Sequence, residues 1–174
     1  MILAAALALA ETVAVSAGWN LIGALRDSVP VGAVRTVPDG ILASAFFGYG
    51  TGYAVATTLA PGHGYWVSAN ASGVVIVSSS TSAAAKSSAE ATTELARADR
   101  LTLRDALGRE QDLYLSDGAG VGTPRSWYAM PPLPPAGIFD ARFSTERWCE
   151  RYPAPGEAAP EIVLNNAVPP LSVR

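Results

Sequence analysis

The sequence predicts an all-β protein: two small antiparallel β-sandwich-like modules joined by a Ser/Ala-rich linker. Three observations carry that expectation. Apolar residues recur with period two along short runs, as in half-buried strands. The runs are punctuated by sixteen Gly and thirteen Pro scattered through 174 residues, the turn content of an all-β chain. No apolar pattern of helical period falls between the strand-like runs, so the crossover helices of a parallel α/β sheet are missing.

The elements follow in order. Residues 1–77 form the first module. Its opening, "MILAAALALAET", is apolar over residues 2–10. It reads as a first strand or the start of a fragment. A signal-peptide end is the competing reading, because Ala8-Leu9-Ala10 has the small-x-small form, but no positive n-region precedes it. The run is too short to span a bilayer. "TVAVSAGWNLIGAL" alternates through Val13, Val15, Trp19 and Leu21 on either side of an Ala17-Gly18 turn. Pro30 and Pro38 exclude a long helix over residues 26–44, leaving loop with short strand pieces. "FFGYGTGYAVA" is a hairpin turning at Gly50-Thr51-Gly52. "LAPGHGYWVSA" leads from a Pro-Gly turn into a strand, and "GVVIVSS" reads as a strand buried on both faces.

Residues 78–99 change composition to Ser, Ala and Thr and hold one large apolar residue, Leu95. Such a stretch buries too little surface to order itself and is expected to be a linker, with at most a helical turn in "AEATTELARA". Residues 100–174 form the second module. "RLTLRDALGREQDLYLS" is a hairpin. "SWYAM", "GIFDARFS", "ERWCERY", "EIVLNN" and "PPLSVR" are further strand candidates at sandwich-like spacing. Between the first two lies "MPPLPP", whose prolines fix φ and remove N–H donors. Flanked by strand patterns, residues 131–135 read as a stiff extended strut, with Gly137 releasing the chain into the next strand.

Composition bounds function. The chain is 49% hydrophobic and 16% charged, with net charge −3, and every basic residue except Lys86 is Arg. A nucleic-acid partner would need a basic surface to replace counterions, so it is not expected. The single histidine, His63, sits between turn glycines, a poor place for a general base. GxSxG, HExxH and GxxxxGK[ST] motifs are absent, and "GYGTG" at 48–52 lies between strand-like runs instead of opening a helix. Asp99, Asp105, Asp112, Asp117 and Asp140 offer no singled-out pair. The loop "SDGAGVG" (116–122) lacks the repeated ligands of a calcium site around Asp117. Cys149 has no second cysteine to bridge and no neighbours at metal-ligand spacing, and reads as a half-buried packing residue. Asn70-Ala71-Ser72 is a formal glycosylation sequon. No catalytic, cofactor or metal residue is expected.

The aromatics of the first module are the remaining signal. Trp19, Tyr53 and Trp66 are the candidate ligand or assembly residues, since rings on a β-face stack on sugars or on a partner protein when they are not simply core.

Two longer phrases resemble a known family. "VSAGWNLIG" followed by "FFGYGTGYAVATTLAPGHGYWV" is similar to a module of large secreted bacterial surface proteins, those of the type IX secretion kind with a C-terminal sorting domain. The matching positions are Gly18, Trp19, Asn20, Leu21 and Ile22, then Tyr49, Tyr53, Leu59, Pro61, Gly62, Gly64, Tyr65, Trp66 and Val67. The "PPLPPAGIFDARFSTERW" segment resembles a stretch near the C-terminal end of such proteins. The resemblance implies an extracellular, noncatalytic β-module and transfers no active site. The expected role is structural or adhesive, with self-association or a parent multidomain protein as partner and strand addition as a route to filaments, the donor being residues 2–10 or 162–173. A carbohydrate-binding module, with a glycan as partner, is the alternative.

Overall fold

The period-two alternation of the first half becomes two sheets facing each other across one apolar layer. The computed structural model describes residues 10–23, 27–78, 97–117 and 123–174. The first half supplies β1 (Ala10–Val15), β2 (Gly18–Gly23), β3 (Val29–Pro30), β4 (Arg35–Val37), β5 (Phe47–Tyr49), β6 (Tyr53–Val55), β7 (Thr58–Leu59), β8 (Gly64–Ala69) and β9 (Gly73–Ser78). One sheet has the order β1-β9-β4 and the other β2-β8-β5-β6, with β3 and β7 paired at the flank. Every pairing among them is antiparallel.

Register decides which side chains enter the core. Ile22 faces Tyr65 and Asn20 faces Val67 across β2 and β8, so Ile22, Tyr65, Val67 and Ala69 point into the first core. Val15, Val75 and Val77 reach it from the other sheet. The bend between β1 and β2 is held by Asn20. Its Oδ1 accepts the Ser16 N–H at 2.9 Å, and its Nδ2 donates to the carbonyls of Ser16 and Gly18. Gly18 has φ +97°, a conformation that side chains other than glycine's rarely adopt. The Gly-Trp-Asn triplet is therefore a corner. Strand β9 departs from the expectation of burial on both faces: Val75 and Val77 are buried, while Val74 and Ile76 are half-buried on the outside.

The second half supplies β10 (Asp99–Arg104), β11 (Glu110–Leu115), β12 (Asp140–Phe143), β13 (Cys149–Glu150), β14 (Ile162–Asn165) and β15 (Ser172–Val173). The order β13-β11-β10-β15 makes one sheet, and β12 pairs with β14 in another. The β11–β13 pairing is parallel and short. Leu103, Leu113, Phe139, Ala141, Phe143, Trp148 and Cys149 fill the second core.

Three strand expectations change. "SWYAM" is a 3-10 turn over Arg125–Tyr128, entered through Pro124, whose fixed φ suits the start of such a turn. "ERWCERY" contributes two residues of strand. The C-terminal stretch 162–173 is not a free donor, since β14 pairs with β12 and β15 with β10 of its own chain. The linker expected over 78–99 falls for residues 79–96 outside the described residues, as do residues 1–9 and the calcium-loop residues 118–122.

Residues 131–135 belong to no strand. Proline carbonyls still accept, and here they do: Pro131 from Arg142 Nη1 at 3.1 Å, Pro132 from the Tyr53 hydroxyl at 3.2 Å. Gly137, at φ +87°, then turns the chain toward β12.

Candidate functional site

A β-strand has two faces, and the first core covers one face of the β2-β8-β5-β6 sheet. The other face carries Trp19, Phe47, Tyr53, Val55 and Trp66. All five pack into the second core or against it. Phe47 sits opposite Trp66 and Val55 in the ladder, and its ring meets Trp19 at 6.1 Å and Trp148 at 6.4 Å, both edge-on. Trp148 is also edge-on to Tyr114 and Tyr128 at 5.6 and 5.5 Å. Tyr53 is buried, while Trp19 and Trp66 are half-buried. The three candidate aromatics thus share one sheet face, at the seam between the halves. None stands as an open platform.

The β5–β6 hairpin is the arm that closes the seam. Its Tyr49 hydroxyl donates to the Phe139 carbonyl at 3.1 Å, and the Tyr53 N–H donates to Gln111 Oε1 at 3.3 Å. Thr51 Oγ1 donates to the Glu110 carbonyl at 3.4 Å. A Cβ on Gly52 would lie 2.5 Å from that carbonyl oxygen. Glycine is therefore required in the turn for close approach to β11. Gln111, at 3% exposure, also donates through Nε2 to the Ala141 carbonyl at 2.5 Å and so ties the arm to β12.

Between the arm and β11 runs a cleft of about 580 Å³. One bank is the unbroken run of residues 50–57, and the other is Glu110, Gln111, Asp112 and Tyr114. Its walls include Val34 and Phe46 from the first core and Phe47, Met130 and Trp148 from the second. Trp127 and Trp148 both line it, and the indole N–H of each is buried without a hydrogen-bond acceptor among the described residues.

Two networks of charged side chains hold the second half. Asp140 and Arg142, at 0% and 2% exposure, form a two-pronged ion pair: Nε to Oδ2 and Nη2 to Oδ1, both 2.8 Å. Arg142 Nη1 also donates to Glu146 at 2.6 Å, and Asn165 Nδ2 to Asp140 at 3.3 Å, so both buried charges are satisfied. Asp105 accepts Arg109 Nε and Nη2 and the main-chain N–H groups of Leu107, Arg109 and Val168. These bonds, led by the Arg109 side chain, hold its carboxyl at about 2 against an ordinary 3.8. Arg109 continues to the carbonyls of Gly137 and Asn166 and lies 5.5 Å from the Phe139 ring centre. Asp112 accepts the Thr102 hydroxyl, and Asp99 accepts the Tyr152 hydroxyl, which is pushed up to about 12 by that carboxylate.

His63 is exposed in its turn, with Nδ1 3.0 Å from the Pro61 carbonyl. Cys149 is buried. Asn70 of the sequon is exposed between β8 and β9, and Asp117 is exposed beside residues 118–122. Among the described residues, no group of three or more His, Cys, Asp or Glu is placed to hold a metal ion, and no helix is long and apolar enough to cross a membrane.

Sequence reasoning missed Gln111, Arg142 and the indoles of Trp127 and Trp148. For Gln111, no local signal marks Tyr53, fifty-eight residues away, and for the two indoles none marks their burial. For Arg142 a signal exists: opposite charges two apart in "FDARF" share one face of an apolar strand. Compared with protein-family models, curated proteins and solved structures, the chain matches none.

Proposed function

We infer that the chain is a noncatalytic structural or adhesive β-module of the cell exterior, working by self-association or as part of a longer surface protein. The observation that carries the reading is the seam. Aromatic rings that an open binding face would present are instead packed between the halves, and the hairpin arm locks them there with main-chain and side-chain hydrogen bonds. Such a body suits bearing load and presenting edges. Strands β1 and β4 lie at the two outer positions of their sheet among the described residues, and outer strands are templates for pairing with another chain. The likeness of residues 18–22, 59–67 and 131–143 to modules of type IX secreted surface proteins supports an exterior address. The carbohydrate-binding alternative is weakened at Trp19, Tyr53 and Trp66, since Tyr53 is buried and the two tryptophans are half-buried against the second core.

Sedimentation velocity over a concentration series, with electron microscopy of the concentrated sample, tests the reading. Concentration-dependent oligomers or filaments support it. A strict monomer at high concentration, together with a positive glycan array, turns it toward the alternative.

A further inference from the structure

We propose that the cleft behind the β5–β6 arm binds a small, uncharged aromatic molecule that carries an N–H and a C=O side by side, held by the main chain of Val55. This activity goes beyond self-association and does not depend on it.

The two banks touch at defined places. Thr51 and Gly52 lie against Glu110, and the Tyr53 N–H donates to Gln111. Further along the arm, the Thr57 carbonyl accepts the Val31 N–H at 3.0 Å. These ties fix the arm at residues 53 and 57, so the cleft is a framed pocket with Val55 midway between the ties. Its volume of about 580 Å³ falls within the range of about 300–1,000 Å³ that suits a drug-sized molecule. Phe46, Phe47, Tyr114, Trp127, Met130 and Trp148 give it flat, rigid, apolar walls, which favour a flat aromatic guest. Its charged lining residues are Glu110 and Asp112, both acidic, and no Lys, Arg or His lines it, so an anion meets repulsion without a counter-charge. Both carboxylates are already engaged, Glu110 with Arg104 and Asp112 with Thr102 and Arg100, so neither is free to draw in a cation. The guest is therefore neutral.

Register supplies the polar anchor. The Ala56 N–H donates to the Phe46 carbonyl and the Gly50 N–H to the Gly52 carbonyl, and Gly48 pairs with Ala54 between them. Residues 52, 54 and 56 therefore bond toward β5. Alternation turns the N–H and C=O of Val55 the other way, to the side on which the Tyr53 N–H meets Gln111. Val55 is half-buried and lines the pocket, β6 is the outer strand of its sheet, and neither main-chain group of Val55 has a partner among the described residues. A half-buried donor and acceptor left unmade are costly, and a guest that satisfies both recovers that cost. In a ladder, one residue exchanges its N–H and C=O with one partner. A lactam presents the same pair in a compact ring. The indole N–H groups of Trp127 and Trp148 are covered by protein, so they report on the wall of the site without anchoring the guest.

Amide and indole NMR of the isotope-labelled full chain tests the site, with carbostyril, an uncharged lactam of two fused rings, as the probe. Saturable shifts are expected at the Val55 amide and at the indole N–H signals of Trp127 and Trp148, with smaller shifts at Trp19 and Trp66, which do not line the pocket. N-methylcarbostyril, which lacks the donor, is expected to bind at least about tenfold more weakly. Naphthoate, of similar size but anionic, is expected to leave the spectrum unchanged. Val55→Pro removes the N–H at a position on an outer strand that makes no ladder bond, and should weaken carbostyril by a similar factor. Circular dichroism shows whether that variant folds; if it does not, the N-methyl comparison on the wild-type chain decides alone. A spectrum unmoved by millimolar carbostyril, shifts centred on Trp19 and Trp66, equal binding of the N-methyl compound, or binding of naphthoate overturns the assignment. None of these outcomes bears on self-association, which sedimentation reads separately.

Discussion

Gly52→Ala probes the seam at its tightest point. The new Cβ would sit 2.5 Å from the Glu110 carbonyl oxygen, 3.0 Å from Gln111 Oε1 and 3.1 Å from Gln111 Cβ. Carbon-to-oxygen contacts settle at about 3.3 Å or more, so the arm must retreat from β11 by about 0.8 Å. The carbonyl is main chain and cannot swing aside. Retreat stretches the Thr51–Glu110 and Tyr53–Gln111 bonds, already 3.4 and 3.3 Å, beyond useful length. Each is worth about 1 kcal/mol, and overpacking adds about 1–3 kcal/mol. Alanine's smaller unfolded-state entropy returns about 0.4–1 kcal/mol. The expected net loss is about 3 kcal/mol. Gly50→Ala is the control: it lies in the same turn, its Cβ would meet nothing within 4 Å, and its φ is not in the left-handed region. Its effect is expected within about 0.5 kcal/mol. Urea unfolding followed by tryptophan fluorescence reads both, as a shift in midpoint at constant slope. If Gly52→Ala matches wild type and the control, the seam is not the close contact described.

Three more outcomes are expected. Arg142→Met strands the buried Asp140 carboxylate and should cost about 3–5 kcal/mol in urea unfolding, with part recovered in Arg142→Met/Asp140→Leu, where no buried charge is left unpaired. Asp105 has a folded pKa of about 2, below its ordinary 3.8. Its contribution to stability is therefore present above pH 3.8 and lost as pH falls through the window down to about 2. Carboxyl-carbon NMR titration should place it there, and Asp105→Asn should flatten that limb of the acid-stability profile. Tyr152 should ionise near 12 in a spectrophotometric titration and return toward 10 in Asp99→Asn, which removes the carboxylate that disfavours the phenolate. Because its folded pKa is raised, its contribution is whole below pH 10 and disappears as pH rises through 12.

Local chemistry determined much of this protein. Period two and the spacing of Gly and Pro were enough for the all-β class and for the hairpins at 47–55 and 99–115, because alternation and turn preferences act within a few residues. Those signals stop where partners are distant. "SWYAM" has strand-like composition, yet Pro124 starts a 3-10 turn there, a backbone choice that side-chain pattern does not report. "EIVLNN" and "PPLSVR" were legible as strands, but not as strands paired to β12 and β10 of the same chain. The aromatics show the same limit most clearly. Alternation announces that Trp66 and Tyr65 face opposite sides of β8. It does not say that Tyr65 enters the first core while Trp66 packs against the second. Which body covers a strand's second face is settled by contacts across scores of residues, as Gln111 reaching Tyr53 illustrates. The sequence by itself thus determined strands, turns and their two faces. Only the tertiary structure decided that one sheet of the first half is shared with the second, and that a cleft is left between them, because burial is a property of the assembled surfaces and not of any one strand.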